Sequence, residues 1–158
     1  MNEIKFIHLS EVKEQEIIDL MNNKIVGKQM PLLRKGFSAE DYKTFLKAKK
    51  EIWDEHGYGP WAFLVNDKFA GWGGLQPENG EADFALVLHP EFWGYGKKIF
   101  DKIKSWAFNE TNIKTITALF PPSRTNSKAI KHLGFIDDGE LTIDNNLFIR
   151  FRINKPKI

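Results

Sequence analysis

The sequence predicts a mixed α/β domain in which helices pack against one sheet. Three observations favour this class: an early stretch with helical periodicity, a central run of strands separated by turns, and a later strand–helix–strand order. The chain has 158 residues, which is the usual length of one domain, and no repeat or linker divides it. We therefore expect a single domain over residues 1–158.

The N-terminal third is predicted to hold one strand and two helices. Residues 4–9 alternate as a strand does, and Ser10–Met21 is expected to be a helix capped by its first residue. Residues 22–37 show no clear period and are predicted to form a loop. Ser38 and Asp41 favour a second helix, because both side chains can accept hydrogen bonds from amides of a first turn. Its apolar stripe consists of Tyr42, Phe45, Leu46, Ile52 and Trp53.

Strands dominate the chain after Gly57. Turn residues at 66–68 and 78–80 separate three apolar runs, which predicts an antiparallel meander. The predicted elements are strands at 61–65, 69–75 and 82–88, a helix at 94–109, a strand at 113–120, a short helix at 126–133 and a strand pair at 140–143 and 147–153.

Composition excludes several classes of function. The chain has no cysteine, which excludes a disulfide framework, thiol catalysis and cysteine-ligated zinc, and we expect no metal. Its 23 basic and 21 acidic side chains nearly cancel, so bulk charge gives no reason to expect a nucleic-acid partner. No apolar run approaches the roughly 18 residues of a membrane span, and the start lacks a signal peptide. We expect a cytoplasmic protein that binds neither membranes nor nucleic acid.

The segment 84–100 runs from a strand through a glycine-containing turn into a helix. The first amides of a helix lack intrahelical acceptors and lie at the positive end of its dipole, so they attract phosphate. Gly94 and Gly96 allow a ligand to approach the backbone closely. Positive charge along the first helical turns comes from Lys97, Lys98, Lys102 and Lys104. This arrangement fits a polyanionic cofactor, although it lacks the spacing of a phosphate loop or a dinucleotide fingerprint.

This segment resembles the acetyl-coenzyme A signature of the GNAT superfamily of N-acetyltransferases, which is Gln/Arg-x-x-Gly-x-Gly/Ala after a central strand. Residues 123–135, which end in Leu-Gly-Phe, are similar to the family's second motif, and the order of elements agrees over nearly the whole chain. Residues 89–94 most resemble the branch that acetylates N-terminal amines of ribosomal and other proteins. The resemblance implies a mostly antiparallel sheet, splayed between two parallel strands and flanked by about four helices.

The glycine motif fits the sequence in two registers. If the motif is anchored on Pro90, its Gln/Arg place falls on Trp93 and its two glycine places fall on Gly96 and Lys98. Anchored on the apolar stripe of the helix, Glu91, Gly94 and Gly96 take them, which satisfies both glycines and is the register we prefer. Neither register supplies the Gln/Arg side chain. Contacts to the cofactor should therefore come from backbone amides between Trp93 and Lys98.

The resemblance also implies acetyl-coenzyme A as co-substrate and a location for it. In the family the pantetheine arm bonds to backbone between two splayed strands, here 84–88 and 115–120. Leu86 and Leu88 are the expected partners, with the thioester carbonyl facing an amide near Val87 or Leu88. The expected cofactor contacts are Leu86, Val87, Leu88, Trp93, Gly94, Tyr95, Gly96, Lys97, Lys98, Ser123 and Asn126.

Amine acetylation needs a base, a polarised carbonyl and an oriented acceptor. Asp83 is the first candidate for the base and Glu81 the second, because related enzymes often carry an acidic residue at the start of this strand. A carboxylate there can take the amine proton directly or through water. Acidic residues that follow a turn are also commonly just solvated.

The resemblance puts an aliphatic residue, Ile130, where many family members have a tyrosine general acid. Ser123 and Tyr95 are the candidate hydroxyls in its place, and the coenzyme A thiolate can also take its proton from water. Trp72, in a glycine-rich strand, and Met30 are expected to contact the acceptor. The sequence therefore predicts an acetyl-coenzyme A-dependent N-acetyltransferase that acts on a primary amine of a small molecule or peptide, by direct attack in a ternary complex. A homodimer is compatible with this prediction. The missing tyrosine keeps a second hypothesis open, a module that binds acyl-coenzyme A without catalysis.

Overall fold

The computed structural model describes residues 3–28, 36–122 and 127–157. In these ranges seven strands form one sheet in the order β1-β2-β3-β4-β5-β7-β6. The strands are β1 (Ile4–Ile7), β2 (Pro60–Val65), β3 (Lys68–Glu78), β4 (Glu81–Leu88), β5 (Thr115–Phe120), β6 (Ile136–Ile143) and β7 (Asn146–Asn154). The α-helices are α1 (Glu14–Met21), α2 (Lys24–Lys28), α3 (Ala39–His56), α4 (Gly96–Glu110) and α5 (Ser127–His132). The predicted mixed α/β class is confirmed.

The sheet is antiparallel except where β4 meets β5. Two-residue turns join β2 to β3, β3 to β4 and β6 to β7, as the sequence pattern indicated. Their residues have positive φ, for example 50° at Asn66 and 67° at Asp67. Such turns match the twist of the strands that they connect, and Asn, Asp and Gly adopt them most readily.

Apolar side chains cover both faces of the sheet. On one face, α4 buries Ile99, Phe100 and Ile103 against the strands. On the other face, α1 and α3 form a second core that includes Trp72 of β3 and Val87 of β4. Successive side chains of a strand alternate between faces, so the odd-numbered residues of β4 share the α3 face. None of the helices in the described ranges is long and apolar enough to cross a bilayer.

The segment between β1 and α3 differs from the prediction. A 3-10 turn over Leu9–Glu11 separates β1 from α1, so Ser10 lies inside this turn and the prediction that it caps the helix was wrong. The predicted loop at 22–37 contains α2. The side chain of Asn23 accepts hydrogen bonds of 2.9 and 3.1 Å from the first amides of this helix, which explains its start.

The other boundaries lie closer to the prediction. Ser38 Oγ accepts from the amide of Asp41 at 3.1 Å and the Asp41 carboxylate accepts from the amide of Ser38 at 2.9 Å, which confirms the start of α3. The helix predicted from residue 94 begins at Gly96, because a 3-10 turn over Pro90–Tyr95 precedes it. β6 is longer than predicted, because an irregularity at Gly139 (φ +94°) interrupts the alternation of its side chains.

Candidate active site

Strands β4 and β5 run side by side over only three register pairs and then separate. The pairs join Ala82 to Ile116, Asp83 to Thr117 and Phe84 to Ala118. Beyond them, β4 continues to Leu88 while β5 stays paired with β7. A gap therefore opens between the C-terminal halves of two parallel strands, which confirms the expected splay.

Backbone groups of Leu86 and Leu88 face this gap. The amide of His89 donates to the carbonyl of Ala70 at 2.8 Å, so His89 bonds to β3 through its backbone. Peptide groups alternate in direction along an antiparallel strand, so those of Leu86 and Leu88 are directed away from β3. The Leu88 carbonyl accepts a 2.9 Å hydrogen bond from the indole Nε1 of Trp93, whose side chain is half exposed. The backbone of Leu86 and Leu88 thus lines the gap, and Trp93 covers the Leu88 carbonyl.

Val87 differs from its two neighbours. By the same alternation its peptide groups are directed toward β3, and its side chain is buried in the core under α3. A Cβ added at Gly71 would lie 2.1 Å from the Val87 carbonyl oxygen, which shows how closely β3 and β4 approach here. The backbone of Val87 is therefore directed toward β3 and away from the gap.

The 3-10 turn and the start of α4 lie beside the gap. The amide of Gly96 donates to the carbonyl of Trp93, so one of the amides expected to face the cofactor bonds within the turn. A Cβ at Gly96 would lie 3.5 Å from the Leu86 side chain, whereas one at Gly94 would meet nothing within 4 Å. Gly96 therefore sits in contact with β4, and Gly94 lies on the outer side of the turn.

Tyr95 ends the 3-10 turn, and two lysines follow it in the first turn of α4. Lys97 and Lys98 are exposed, and the ammonium of Lys97 lies 3.3 Å from the carboxylate of Asp101, one helical turn on. Tyr95 is half-buried and its ring lies 6.2 Å from that of Phe92. The start of α4 thus presents positive charge next to the C-terminal end of β4.

Asp83 belongs to the middle one of the three register pairs, one residue before the pairing of β4 with β5 ends. Its Oδ1 accepts a 2.8 Å hydrogen bond from Oγ1 of Thr117, which is fully buried. Burial raises the pKa of Asp83 to about 7, Glu78 adds to the increase, and the Thr117 hydroxyl and Arg150 oppose it. A carboxyl group with such a pKa can accept and release a proton near neutral pH.

Glu81, two residues earlier on the same face, belongs to an ion-pair network. Its Oε1 lies 2.8 Å from Arg150 and 2.9 Å from Arg152, and Arg152 also bonds to its second oxygen. Asp138 of β6 lies 3.2 Å from Arg150 and 3.1 Å from Arg152. The hydrogen bond from Arg152 is the main cause that lowers the pKa of Glu81. The geometry therefore favours Asp83 over Glu81 for proton transfer.

Trp72 is a core residue, with 4% of its surface exposed. Its Nε1 donates to Sδ of Met21 at 3.3 Å, and its ring packs edge-on against Phe45 at 4.9 Å between centroids. The sequence predicted acceptor contact from the glycines that flank it. Those glycines instead allow close strand approach: a Cβ at Gly73 would lie 2.5 Å from a carbonyl oxygen of β4.

Three predicted site residues, Met30, Ser123 and Asn126, lie outside the described residues. Ile130, which we expected at the position of the family's tyrosine, is buried to 5% exposure in the core beneath α4. An aliphatic side chain in that position cannot supply a proton.

Sequence patterns missed two polar side chains on the α3 face, Lys49 and Gln76. The Lys49 ammonium donates to Oε1 of Gln76 and lies 5.3 and 5.2 Å from the ring centroids of Phe45 and Trp72. Gln76 is the direct cross-strand partner of Asp83. One signal was available: Lys49 follows Phe45 by four residues, so it interrupts the apolar stripe of α3 with a charge.

Comparison with known proteins agrees with this architecture. The sequence model of one family, described as "Acetyltransferase (GNAT) domain", matches residues 7–136. An acetyltransferase from Agrobacterium tumefaciens has a TM-score of 0.79 at 15% identity, over 96% of this chain and 91% of that chain. Spermidine N-acetyltransferase from Vibrio cholerae, solved with CoA and spermine, has a TM-score of 0.74 at 18% identity, over 98% and 95%. No curated protein matched the sequence. At these identities the solved structures share the fold.

Proposed function

This chain belongs to the GNAT family of acetyltransferases, and we propose that it transfers an acetyl group from acetyl-coenzyme A to a primary amine. The observation that carries the proposal is Asp83, a carboxyl group with a pKa of about 7 at the point where β4 and β5 separate. Two further facts support it: the structural neighbours include a spermidine N-acetyltransferase solved with CoA, and residues 89–94 resemble the branch that acetylates N-terminal amines.

In this proposal the pantetheine arm of acetyl-coenzyme A enters the gap between β4 and β5. Backbone groups of Leu86 and Leu88 bond to it. The indole of Trp93 either breaks its hydrogen bond to the Leu88 carbonyl, which frees this carbonyl for the cofactor, or keeps the bond and forms one wall of the gap. The first turn of α4, with Lys97 and Lys98, holds the diphosphate through amides and positive charge. Ser123 and Asn126 are retained from the sequence as further cofactor contacts.

The proposed chemistry needs one base and an oriented pair of reactants. The acceptor ammonium gives a proton to the Asp83 carboxylate, directly or through water, and the neutral amine attacks the thioester carbonyl. The amide of Leu88, which is directed toward the gap, stabilises the developing oxyanion. The carbon–sulfur bond then breaks, the nitrogen gives its second proton to water, and the departing coenzyme A thiolate takes a proton from water. Thr117 occupies Oδ1 of Asp83, which leaves Oδ2 for the acceptor.

A thiol-release assay with acetyl-coenzyme A and a panel of amines tests the proposal. Asp83→Asn should lower kcat by about 100-fold or more, because positioned general bases contribute at least that factor. The matched control is Glu81→Gln, which changes a carboxylate on the same strand and should leave kcat within a few-fold of wild type. Equal activity of Asp83→Asn and wild type would contradict the role of Asp83.

Ile130 is the specific reason to retain a second candidate function, a module that binds acyl-coenzyme A without turnover. The same assay separates the two. Binding of acetyl-coenzyme A without thiol release for any amine of the panel favours the binding module, whereas release that requires Asp83 excludes it.

A further inference from the structure

The α3 face of the sheet carries a positive group and a negative group close to the gap. Lys49 bonds to Gln76, and Gln76 lies directly across from Asp83. We propose that Lys49 binds a carboxylate of the acceptor, so that the enzyme selects small amino acids, molecules with an amine and a carboxylate, over polycationic amines. This inference rests on the proposed acetyl transfer and identifies its acceptor class.

The first step concerns the charge of Lys49. Within the described residues, no carboxylate lies within ion-pair distance of its ammonium. The segments 29–35 and 123–126 contain neither Asp nor Glu. Its contacts are an amide oxygen and two aromatic faces, which stabilise a cation only in part. A half-buried ammonium of this kind gains most from an added anion.

Its protonation behaviour agrees with this environment. Burial lowers the pKa of Lys49, and no acidic side chain among the described residues offsets that cause. A bound carboxylate would reverse the effect, because an opposite charge favours the protonated amine.

The second step concerns position. Lys49 contacts both Trp72 and Gln76, so its side chain lies across Gly74, which has no side chain of its own. Gly74 pairs with Ala85 of β4, at the level where β5 has already diverged. Neighbouring strands lie about 4.8 Å apart, so the ammonium is roughly one strand away from the gap.

The third step concerns the balance of charges. Glu81 and Asp138 are neutralised by Arg150 and Arg152. Among the described side chains on the α3 face of β3 and β4, the charges that remain are the Lys49 ammonium over β3 and the Asp83 carboxyl on β4, with Glu78 near it. This polarity matches an amino-acid zwitterion, whose ammonium faces Asp83 while its carboxylate faces Lys49. A polyamine would place like charge against Lys49.

Matched substrates test the inference. Each of the common amino acids is compared with its own α-amide, which keeps the amine and removes the carboxylate, and with spermidine. For at least one amino acid, wild type should show kcat/KM about 10-fold or more above that of its amide, the usual scale of a charge-assisted contact. Lys49→Met should bring this ratio close to one while the amide rate and the acetyl-coenzyme A affinity stay within a few-fold.

Two control variants test whether the effect comes from the charge at position 49. Lys49→Arg keeps the charge and should keep the preference, and Lys50→Met removes an exposed lysine of the same helix and should change nothing. An unchanged ratio in Lys49→Met, or a wild type that prefers amides or spermidine, overturns the inference while acetyl transfer stands. Binding of acetyl-coenzyme A without thiol release for any amine overturns the proposed function and this inference with it. A measurement without turnover is also available. Amino acids should raise the melting temperature of the complex with coenzyme A, and their amides should not.

Discussion

The hydroxyl of Thr117 on β5 donates a 2.8 Å hydrogen bond to the carboxylate of Asp83 on β4, and the two residues face each other in the parallel register. One pair later, at Phe84 and Ala118, the register ends and the strands separate. The same place in the sheet therefore buries the carboxyl group, orients it and opens the gap beside it. Its pKa of about 7 is a consequence of that position.

The pH dependence of catalysis should report this carboxyl group. Asp83 must be ionised to act as a base, so kcat/KM should rise about tenfold per pH unit below about 7 and level off above it. Asp83→Asn should lose this limb of the profile, and Glu81→Gln should keep it. Steady-state kinetics between pH 5 and 9, with one acceptor, measures the profiles. A wild-type profile without a break near neutrality would contradict the assignment.

Asp83 should also make stability depend on pH. In the unfolded chain it ionises near 3.8 and in the folded protein its pKa is about 7, so the folded state binds the proton more tightly between these values. Its contribution to stability is therefore lost as the pH rises from about 4 to 7. Asp83→Asn should raise Tm by at least a few degrees at pH 8, and by less at pH 4.5. Scanning calorimetry at both values checks this, and an equal shift at both would contradict it.

The ion-pair network around Glu81 should contribute to stability. Glu81→Gln leaves Arg150 and Arg152 with one carboxylate, and we expect a loss of about 1–3 kcal/mol, because these charged hydrogen bonds are half-buried. Glu3→Gln is the control: its carboxylate is 3.6 Å from Lys5 and well exposed, so its loss should be near zero. Urea unfolding measures both. Equal effects of the two changes would contradict the structural role of Glu81.

Close approach of β3 and β4 should make Gly73 intolerant of a side chain. A Cβ there would lie 2.5 Å from the Ala85 carbonyl oxygen, so Gly73→Ala should cost about 2 kcal/mol or more. Gly94→Ala, with nothing within 4 Å of the added atom, should be close to neutral. Thermal unfolding of the two variants provides the comparison, and a stable Gly73→Ala protein would show that β4 can move away from β3.

Positive charge at the start of α4 should matter for cofactor binding. Lys98→Glu should weaken acetyl-coenzyme A binding by about 3- to 10-fold at low salt and by less at high salt, because exposed charges are screened. Lys50→Glu changes a lysine on another helix and should have no effect. Fluorescence titration at two salt concentrations tests this, and a salt-independent loss in both variants would contradict it.

Local signals in the sequence predicted most elements of the fold. Ser38 and Asp41 marked the start of α3, and the Asn and Asp residues of the tight turns marked the hairpins, because the signal lies within a few neighbouring residues. α2 was missed because its five residues are too few to show a helical period. Its cap, Asn23, was the one local signal.

The site was predicted less completely, because its contacts join distant parts of the chain. Asp83 was the first candidate for the base, but its partner Thr117 lies 34 residues away and meets it only through the β4–β5 register. The pairing of Glu81 depends on arginines 69 and 71 residues away. Lys49 comes to the site through the packing of α3 on β3, which no pattern within one helix specifies.

Isothermal titration of the chain with acetyl-coenzyme A tests the central claim, that the gap between β4 and β5 holds the acyl donor. We expect binding of one molecule per chain with a Kd below about 100 μM, in the lower part of the roughly 1 μM to 1 mM range that substrate KM values span. The absence of measurable heat up to about 1 mM acetyl-coenzyme A, at two temperatures, would contradict it.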